Sequence, residues 1–254
     1  MKKVILSIVA IISISLSAKA FTTMLADTNK TDAAGKKTGI WKEKTSQFNE
    51  YCGTYKNDKK EGLWIGYFQG GMVANIDEYK NGKKNGYSFQ FDKSGYISEK
   101  DYFVNDTLDG KSMAYYNGGR TKFEIDYKMG VFNGVRNLYY NDGKIQEKGN
   151  YKKGLRDGIT QWFSTEGKLN IEYTYKKGVI DGYEKIFYNN GDVQSEVNVV
   201  NNNEEGDYKE YFEGGKLKKT GKYVHGKKEG EWKERDENGK VTVTEKYKAG
   251  ELIK

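Results

Sequence analysis

A segment of 24 residues recurs along almost the whole chain, and this repeat constrains the fold more than any other feature. "YKKGLRDGITQWFSTEGKLNIEYT" (151–174) is followed directly by "YKKGVIDGYEKIFYNNGDVQSEVN" (175–198). Both segments contain Tyr-Lys-Lys-Gly, Asp-Gly and a later glycine at the same spacing, with an aromatic pair before that glycine. A fixed period of this kind is typical of repeat proteins, in which each unit contacts mainly its neighbours.

Two glycines define the repeat. The first, taken as position 0, returns every 24 residues from Gly62 onward. The first glycines are Gly39, Gly62, Gly86, Gly110, Gly134, Gly158, Gly182, Gly206 and Gly230. The second glycine of each repeat stands at position 9 and is predicted to be a structural turn glycine. The second glycines are Gly71, Gly95, Gly119, Gly143, Gly167, Gly191, Gly215 and Gly239. Position 5 is aromatic in seven repeats, position 11 is mostly aliphatic and position 17 is mostly tyrosine.

These columns predict an all-β fold, an elongated twisted antiparallel meander of stacked 24-residue β-hairpins. A two-residue loop at the second glycine would place positions 5 and 11 on opposite faces. A three-residue loop, closed by a left-handed glycine, would make them cross-strand partners. The second geometry gathers the strongest apolar columns, so we predict it. With a wider turn such as 176–182, positions 1, 3, 5, 11, 13, 15 and 17 are then predicted to share the buried face.

The opposite face should be polar, yet it carries aromatic residues among Lys and Glu. We predict it as a candidate binding face for a partner or a sugar. Its residues are Trp41, Trp64, Phe68, Tyr116, Tyr140, Tyr188, Tyr208, Phe212 and Trp232. The alternative is that these rings pack against lysine stems or close both faces of a twisted sheet.

The N-terminus has the order of a secretory signal. A charged head, an apolar run from Val4 to Ala18 and Ala18-Lys19-Ala20 predict a signal peptide over residues 1–20, cleaved near Ala20. A polar flexible linker (21–34) and a repeat domain (35–254) of about nine units follow. Its first unit, from Gly39 to about Thr54, lacks the second glycine and is predicted to be a cap. The expected location is periplasmic, cell-surface or secreted.

The composition argues against most chemistry. Three lysines and no acids lie in residues 1–20, so the net charge of the mature chain is +4 rather than +7, and Lys and Glu alternate throughout. This mixture argues against a nucleic-acid partner. The single histidine, His225, and the single cysteine, Cys52, have no catalytic or ligand partner in phase with them. We therefore predict no enzyme activity, no metal and no cofactor.

Acidic or amide residues precede the first glycine of most repeats. The column comprises Glu61, Asn85, Asp109, Asn133, Asp157, Asp181, Glu205 and Glu229. Calcium binding is one interpretation, but a calcium site converges several oxygens on one ion, whereas each repeat offers one. We favour a turn role, in which these side chains accept hydrogen bonds from backbone N–H groups.

The chain resembles the bacterial MORN repeat variant. "YKNDKKEGLWIGYFQGGMV" (55–73) and "YVHGKKEGEWKERDENGKV" (223–241) carry the resemblance, which extends over roughly residues 35–254. It implies binding of proteins or phospholipids, and members are often described as antitoxin-like. The signal peptide argues against a cytosolic antitoxin. MORN units also accompany kinase domains in plant phosphatidylinositol-phosphate kinases, but this sequence lacks the kinase motifs. The predicted function is an exported, non-enzymatic scaffold that binds a protein or envelope component, and an antitoxin-like role is the alternative.

Overall fold

A computed structural model describes residues 28–254, and only β-strands and turns occur among them. The predicted all-β fold of antiparallel hairpin repeats is confirmed. The predicted signal peptide (1–20) and the first part of the predicted linker lie outside the described residues. The described residues divide into two compact bodies, residues 28–95 and residues 96–254, called here the N-terminal and C-terminal bodies.

In the N-terminal body, consecutive strands pair antiparallel, in chain order. They are β1 (Lys30–Thr31), β2 (Lys37–Glu43), β3 (Glu50–Lys56), β4 (Lys59–Tyr67), β5 (Val73–Lys80) and β6 (Lys83–Phe91). β2 and β3 are joined by a longer loop than the other hairpins. Phe48 in this loop packs on Tyr51, with ring centroids 5.3 Å apart.

The C-terminal body is an antiparallel meander of sixteen strands. They are β7 (Ile97–Val104), β8 (Thr107–Leu108), β9 (Gly110–Tyr115), β10 (Thr121–Lys128), β11 (Val131–Tyr139), β12 (Ile145–Lys152), β13 (Leu155–Arg156), β14 (Gly158–Phe163), β15 (Leu169–Lys176), β16 (Val179–Phe187), β17 (Val193–Val200), β18 (Asn203–Tyr211), β19 (Leu217–Val224), β20 (Lys227–Arg235), β21 (Val241–Lys248) and β22 (Glu251–Leu252). β8 with β9, and β13 with β14, occupy the place of a single strand, interrupted just before the first glycine.

The second glycine closes a three-residue loop. In the hairpin of β11 and β12, the Tyr140 N–H donates to the Lys144 carbonyl oxygen (2.8 Å), and the Gly143 N–H donates to the Tyr140 carbonyl oxygen (2.9 Å). Positions 5 and 11 are direct partners, as in Tyr139 and Ile145. The eight second glycines all have positive φ, from 81° to 94°. Glycine adopts this left-handed conformation without a steric penalty.

The turn expected to be wide is a two-residue turn. Lys176 pairs with Val179, so only Lys177 and Gly178 lie in the loop, with φ of 52° and 87°. Two successive positive φ values define a type I′ turn, whose twist matches that of the flanking strands. The remaining residues of the predicted wide turn, up to Gly182, belong to β16 and contain a bulge opposite Thr174.

The predicted common face was wrong, because a second bulge lies at position 12. Position 11 pairs with position 5, but position 13 pairs with position 4, as Leu138 does with Glu147. One extra residue in a strand moves the following side chains to the other face. Positions 2, 4, 13, 15, 17 and 22 therefore share one side, called the inner face. Positions 1, 3, 5, 11, 18 and 21 share the other side, the outer face.

Part of the predicted linker contributes to the sheet of the N-terminal body. Residues 30–31 form β1, which pairs with the outer edge of β2. The Asn29 side chain closes the same edge, because its Oδ1 accepts from the Lys42 N–H (2.8 Å) and its Nδ2 donates to the Lys42 carbonyl oxygen (3.1 Å). Such cover protects an edge strand from pairing with another chain. The domain boundary near residue 35 stays a prediction.

Candidate functional site

The inner face of the N-terminal body is an aromatic core. Trp64 is fully buried, and its ring contacts Tyr51, Tyr55 and Tyr79 with centroids 4.9 to 6.3 Å apart. The backbone of Gly53 leaves the space for the indole, since a Cβ there would lie 2.3 Å from Trp64. The prediction that Trp64 belongs to an exposed face is therefore wrong, and the bulge at position 12 is the reason.

Trp232 has the same role in the C-terminal body. Only 2% of it is exposed, it stacks on Tyr208 at 5.4 Å, and Tyr223 and Tyr247 meet its ring edge to face. Gly221 provides the space, as Gly53 does for Trp64. Trp232 and Tyr208 are thus core residues rather than members of an exposed face. Trp41 is also half-buried on the inner side, where its ring packs on Tyr55 at 5.5 Å.

Cations at position 22 complete these aromatic clusters. Lys60 Nζ lies 4.0 Å from the Trp64 ring and 4.2 Å from the Tyr51 ring, and burial lowers the pKa of this lysine. Arg156 and Lys228 hold equivalent positions over the rings of their own repeats. Each ring cluster is occupied by a cation of the chain itself, so these clusters are stabilised as core. The sequence analysis did not single out these cations.

Carboxylates on the inner face are paired or half-buried. Glu147 accepts hydrogen bonds from Arg136, from Arg156 (2.8 Å) and from the Trp162 indole N–H (3.2 Å). Glu184 occupies the place of a ring at position 2. Its pKa is raised first by burial and then by the negative charge of Glu204. The network around Glu147 is satisfied, whereas the charge of Glu184 is opposed by its surroundings.

The position 6 rings of the predicted binding face lie at the edge formed by the three-residue loops. Three of them link successive hairpins: the hydroxyls of Tyr116, Tyr140 and Tyr188 each donate to the carbonyl oxygen at position 5 of the next repeat, over 2.7 to 2.9 Å. Phe68 and Phe212, the other two, are half-buried at the same edge. These contacts give the column a stacking role. Binding of a partner by these rings stays a prediction.

The acidic column serves the two-residue turns. Asp157 accepts from the N–H of Lys177 (3.3 Å) and Glu229 accepts from the N–H of Ala249 (2.7 Å), each one repeat ahead. Glu61, Asn133 and Glu205 make the same contact. The turn interpretation is therefore confirmed for these five residues. Within residues 28–254, no group of three or more His, Cys, Asp or Glu side chains is placed to hold a metal ion.

The remaining candidates for chemistry are His225 and Cys52, one in each body. The His225 side chain is 90% exposed at a turn, and its Nδ1 lies 3.5 Å from a carboxylate oxygen of Glu205. Cys52 is a half-buried free thiol whose pKa is raised by burial, which makes it less reactive. No helix in residues 28–254 has the length and apolar character of a membrane span.

The outer face of the C-terminal body carries a group of exposed apolar side chains on neighbouring strands. It runs from β11 to β17 beside the two-residue turns, and it comprises Val131 (46% exposed), Leu155 (50%), Ile159 (48%), Tyr183 (57%) and Val200 (41%). The wrong face assignment had placed position 1, which includes Ile159 and Tyr183, in the core. We call these five residues the outer strip.

Lysines and neutral residues surround the outer strip. In the row next to the turns, Lys128 pairs with Val131, Lys152 with Leu155 and Lys176 with Val179. In the row behind it, Ile159 pairs with Thr174 and Tyr183 with Asn198. The same row becomes charged at both ends, through Lys111 and Asp126 on one side and Asp207 and Lys222 on the other. The row behind the turns is therefore a neutral window about three hairpins wide, and the row next to the turns carries the lysines.

Comparison with known proteins identifies the repeat. The model of the MORN repeat variant matches five consecutive segments of 22 residues, 132–153, 156–177, 180–201, 204–225 and 228–249, all in the C-terminal body. No curated protein matches the chain. Five consecutive segments of the C-terminal body are therefore repeats of the MORN variant type.

Proposed function

We propose that this protein is an exported, non-enzymatic binding module, and that its contact surface for a protein of the cell envelope is the outer strip. MORN repeats are generally binding or scaffold modules. The observation that supports the contact surface is the exposure of five apolar side chains within a few strands of one another on one face of the sheet. A cluster of exposed apolar side chains with polar neighbours marks interaction sites in stable proteins.

The inner face supports the scaffold part of the proposal. Its rings are covered by the chain's own Lys60, Arg156 and Lys228, so it needs no partner to bury them. The outer strip has much less cover, because Lys185 Nζ lies 5.8 Å from the Tyr183 ring and Tyr183 stays 57% exposed. The antitoxin-like alternative rests on the resemblance alone, and no described residue favours it. Export rests on the N-terminal sequence, and the mature N-terminus should be found by mass spectrometry at or near Phe21.

The test is capture from an envelope extract with matched baits. The wild-type chain, a strip variant (Ile159→Asp with Tyr183→Asp) and a control (Val241→Asp with Val243→Asp) are immobilised separately. Val241 and Val243 are 43% and 40% exposed and lie outside the strip, so the control introduces the same charge elsewhere on the protein. A protein retained by the wild type and the control but lost from the strip variant supports the proposal. Equal retention by all three baits, or no specific retention, contradicts it.

A further inference from the structure

The chemistry around the outer strip indicates what kind of partner it fits, provided that the strip is the contact surface proposed above. We propose that it binds a short extended segment of a protein that carries alternating apolar and acidic side chains. The inference rests on the size of the strip, the charge beside it and the spacing of its repeats.

The size of the strip excludes a large globular footprint. From β11 to β17 the strip covers six neighbouring strands, whose five spacings of about 4.8 Å add up to roughly 24 Å. Its width, from position 21 to position 1 along a strand, is four residues, or roughly 13 Å. The apolar area is therefore roughly 300 Å², well below the approximately 800 Å² per partner of a stable globular interface. An extended segment of about seven to nine residues covers the same length.

The charge beside the strip is positive, and it is uncompensated at the centre of the strip. Lys152, Lys153 and Lys177 are exposed, and no ion pair joins their side chains to a carboxylate within residues 28–254. At the two sides, Lys128 is paired with Asp109 (3.0 Å), and Lys176, whose side chain is 69% exposed, lies 3.6 Å from Asp181. Asp157 accepts from the Lys177 N–H instead of pairing with a lysine side chain. A segment lying on the strip thus gains from acidic side chains that face this row of lysines.

The repeat sets the spacing of the partner's side chains. Lys128, Lys152 and Lys176 follow one another at every second strand, as do Val131, Leu155 and Val179, so each kind recurs at roughly 9.6 Å. Three residues of a chain in the extended polyproline II conformation make one turn of roughly 9 Å, so every third side chain faces the same side. The best-matched segment therefore has an apolar residue at every third position, with an acidic residue between successive apolar ones.

A synthetic peptide tests this match directly. The probe is three copies of Leu-Thr-Glu with both ends blocked, titrated into the full chain while its methyl and amide resonances are followed by NMR. Two control peptides replace Glu by Lys or Leu by Ser. The expected result is saturable shifts at Leu155, Ile159 and their neighbours for the Leu-Thr-Glu peptide, with binding at least tenfold weaker for both controls.

Variants of the protein assign the contact. Lys152→Glu should weaken binding of the Leu-Thr-Glu peptide at least tenfold and strengthen binding of the lysine peptide. Ile159→Asp should weaken binding of both peptides. Lys222→Glu makes the same charge change at an exposed lysine outside the window and should leave binding unchanged. Equal binding of the acidic and basic peptides, or shifts confined to the inner face, would overturn the proposal.

An experiment with vesicles distinguishes a protein segment from a membrane surface as the partner, because a membrane surface is also apolar and anionic. Phosphatidylglycerol-containing vesicles are sedimented with the wild type and the Lys152→Glu and Ile159→Asp variants. If vesicle binding depends on these residues while the peptide causes no shifts, the strip is a membrane contact and the inferred partner is wrong. Failure of the peptide together with successful capture in the bait experiment refutes only the partner chemistry. Failure of capture refutes the proposed function itself.

Discussion

Substituting Gly221 by alanine should destabilise the protein through one contact with Trp232. A Cβ built on Gly221 lies 2.1 Å from Cδ2 and 2.2 Å from Cε2 of the indole, whereas ordinary contacts are 3.4 to 4 Å. The ring or the strand must therefore move by more than 1 Å. The ring has little freedom, because Tyr208 stacks on it and Tyr223 and Tyr247 meet it edge to face. The φ of Gly221 is not in the left-handed region, so backbone strain adds nothing.

The magnitude follows from two opposing terms. Overpacking of a core costs about 1–3 kcal/mol. Replacing glycine by alanine where the backbone allows it returns about 0.4–1 kcal/mol through the unfolded state. The net loss for Gly221→Ala is therefore about 1–2 kcal/mol, measured by urea unfolding followed with tryptophan fluorescence and circular dichroism.

Gly149→Ala is the matched control. Gly149 occupies the same repeat position as Gly221, but a Cβ there would lie 3.2 Å from Thr160 rather than inside an indole ring. Its effect should be near zero or slightly stabilising. Adding Trp232→Thr to Gly221→Ala should make the alanine much less costly than it is in the wild type. Equal effects of the two single alanine substitutions would refute the assignment of the inner face as the packed core.

Four further changes test other parts of the structure. Met129→Asn should stabilise by up to about 1 kcal/mol in a thermal melt, because the exposed Met129 has a φ of 50°, which asparagine adopts more readily. Asp157→Ala should cost about 0.5–1.5 kcal/mol through loss of the acceptor for the Lys177 N–H, while Asp157→Asn should cost little in the same melt. Asn29→Ala should speed amide hydrogen exchange in β2, with no change in the C-terminal body. Glu184→Gln should stabilise the protein at pH 7 but not below pH about 4, as measured by urea unfolding at both pH values. Burial raises the pKa of Glu184 in the folded protein above its unfolded value of about 4.3. The stability that is present below the unfolded pKa is therefore lost as the pH rises through the folded pKa, and glutamine avoids this loss.

Much of the fold could be predicted from the sequence because the repeat supplies the same local information many times. The glycine at position 9, as in Gly143, specifies a three-residue loop, and the aromatic and aliphatic columns specify strands. The match of the MORN repeat variant confirms the resemblance over five repeats. The two-residue turn could also have been identified at Asn81-Gly82, a typical type I′ pair, and a glycine stands at the same place as Gly82 in most other repeats.

The faces could not be predicted correctly, because a bulge has no fixed residue signature. Because of a single extra residue at position 12, Trp64 and Trp232, which were predicted to be exposed, are buried. Ile159 and Tyr183, which were predicted to be buried, are exposed. One sequence signal does point to the true register. Where a glycine stands at position 15, as Gly221 does, the next repeat can hold tryptophan at position 2. A glycine and a tryptophan with this spacing indicate that the two residues are neighbours on adjacent strands. The signal is visible only when the strands that contain them are assumed to pair.

Hydroxyl-radical footprinting of the free and partner-bound protein tests the central claim, that the inner rings are core and the outer strip binds. The wild-type chain is labelled alone and after incubation with the envelope extract, and oxidation is read by mass spectrometry. In the free protein Tyr183 and Leu155 should be oxidised and Trp64 and Trp232 should not. With the extract, Tyr183 and Leu155 should become protected. Oxidation of Trp232 in the free folded protein, or protection that leaves Tyr183 and Leu155 unchanged, would contradict the account.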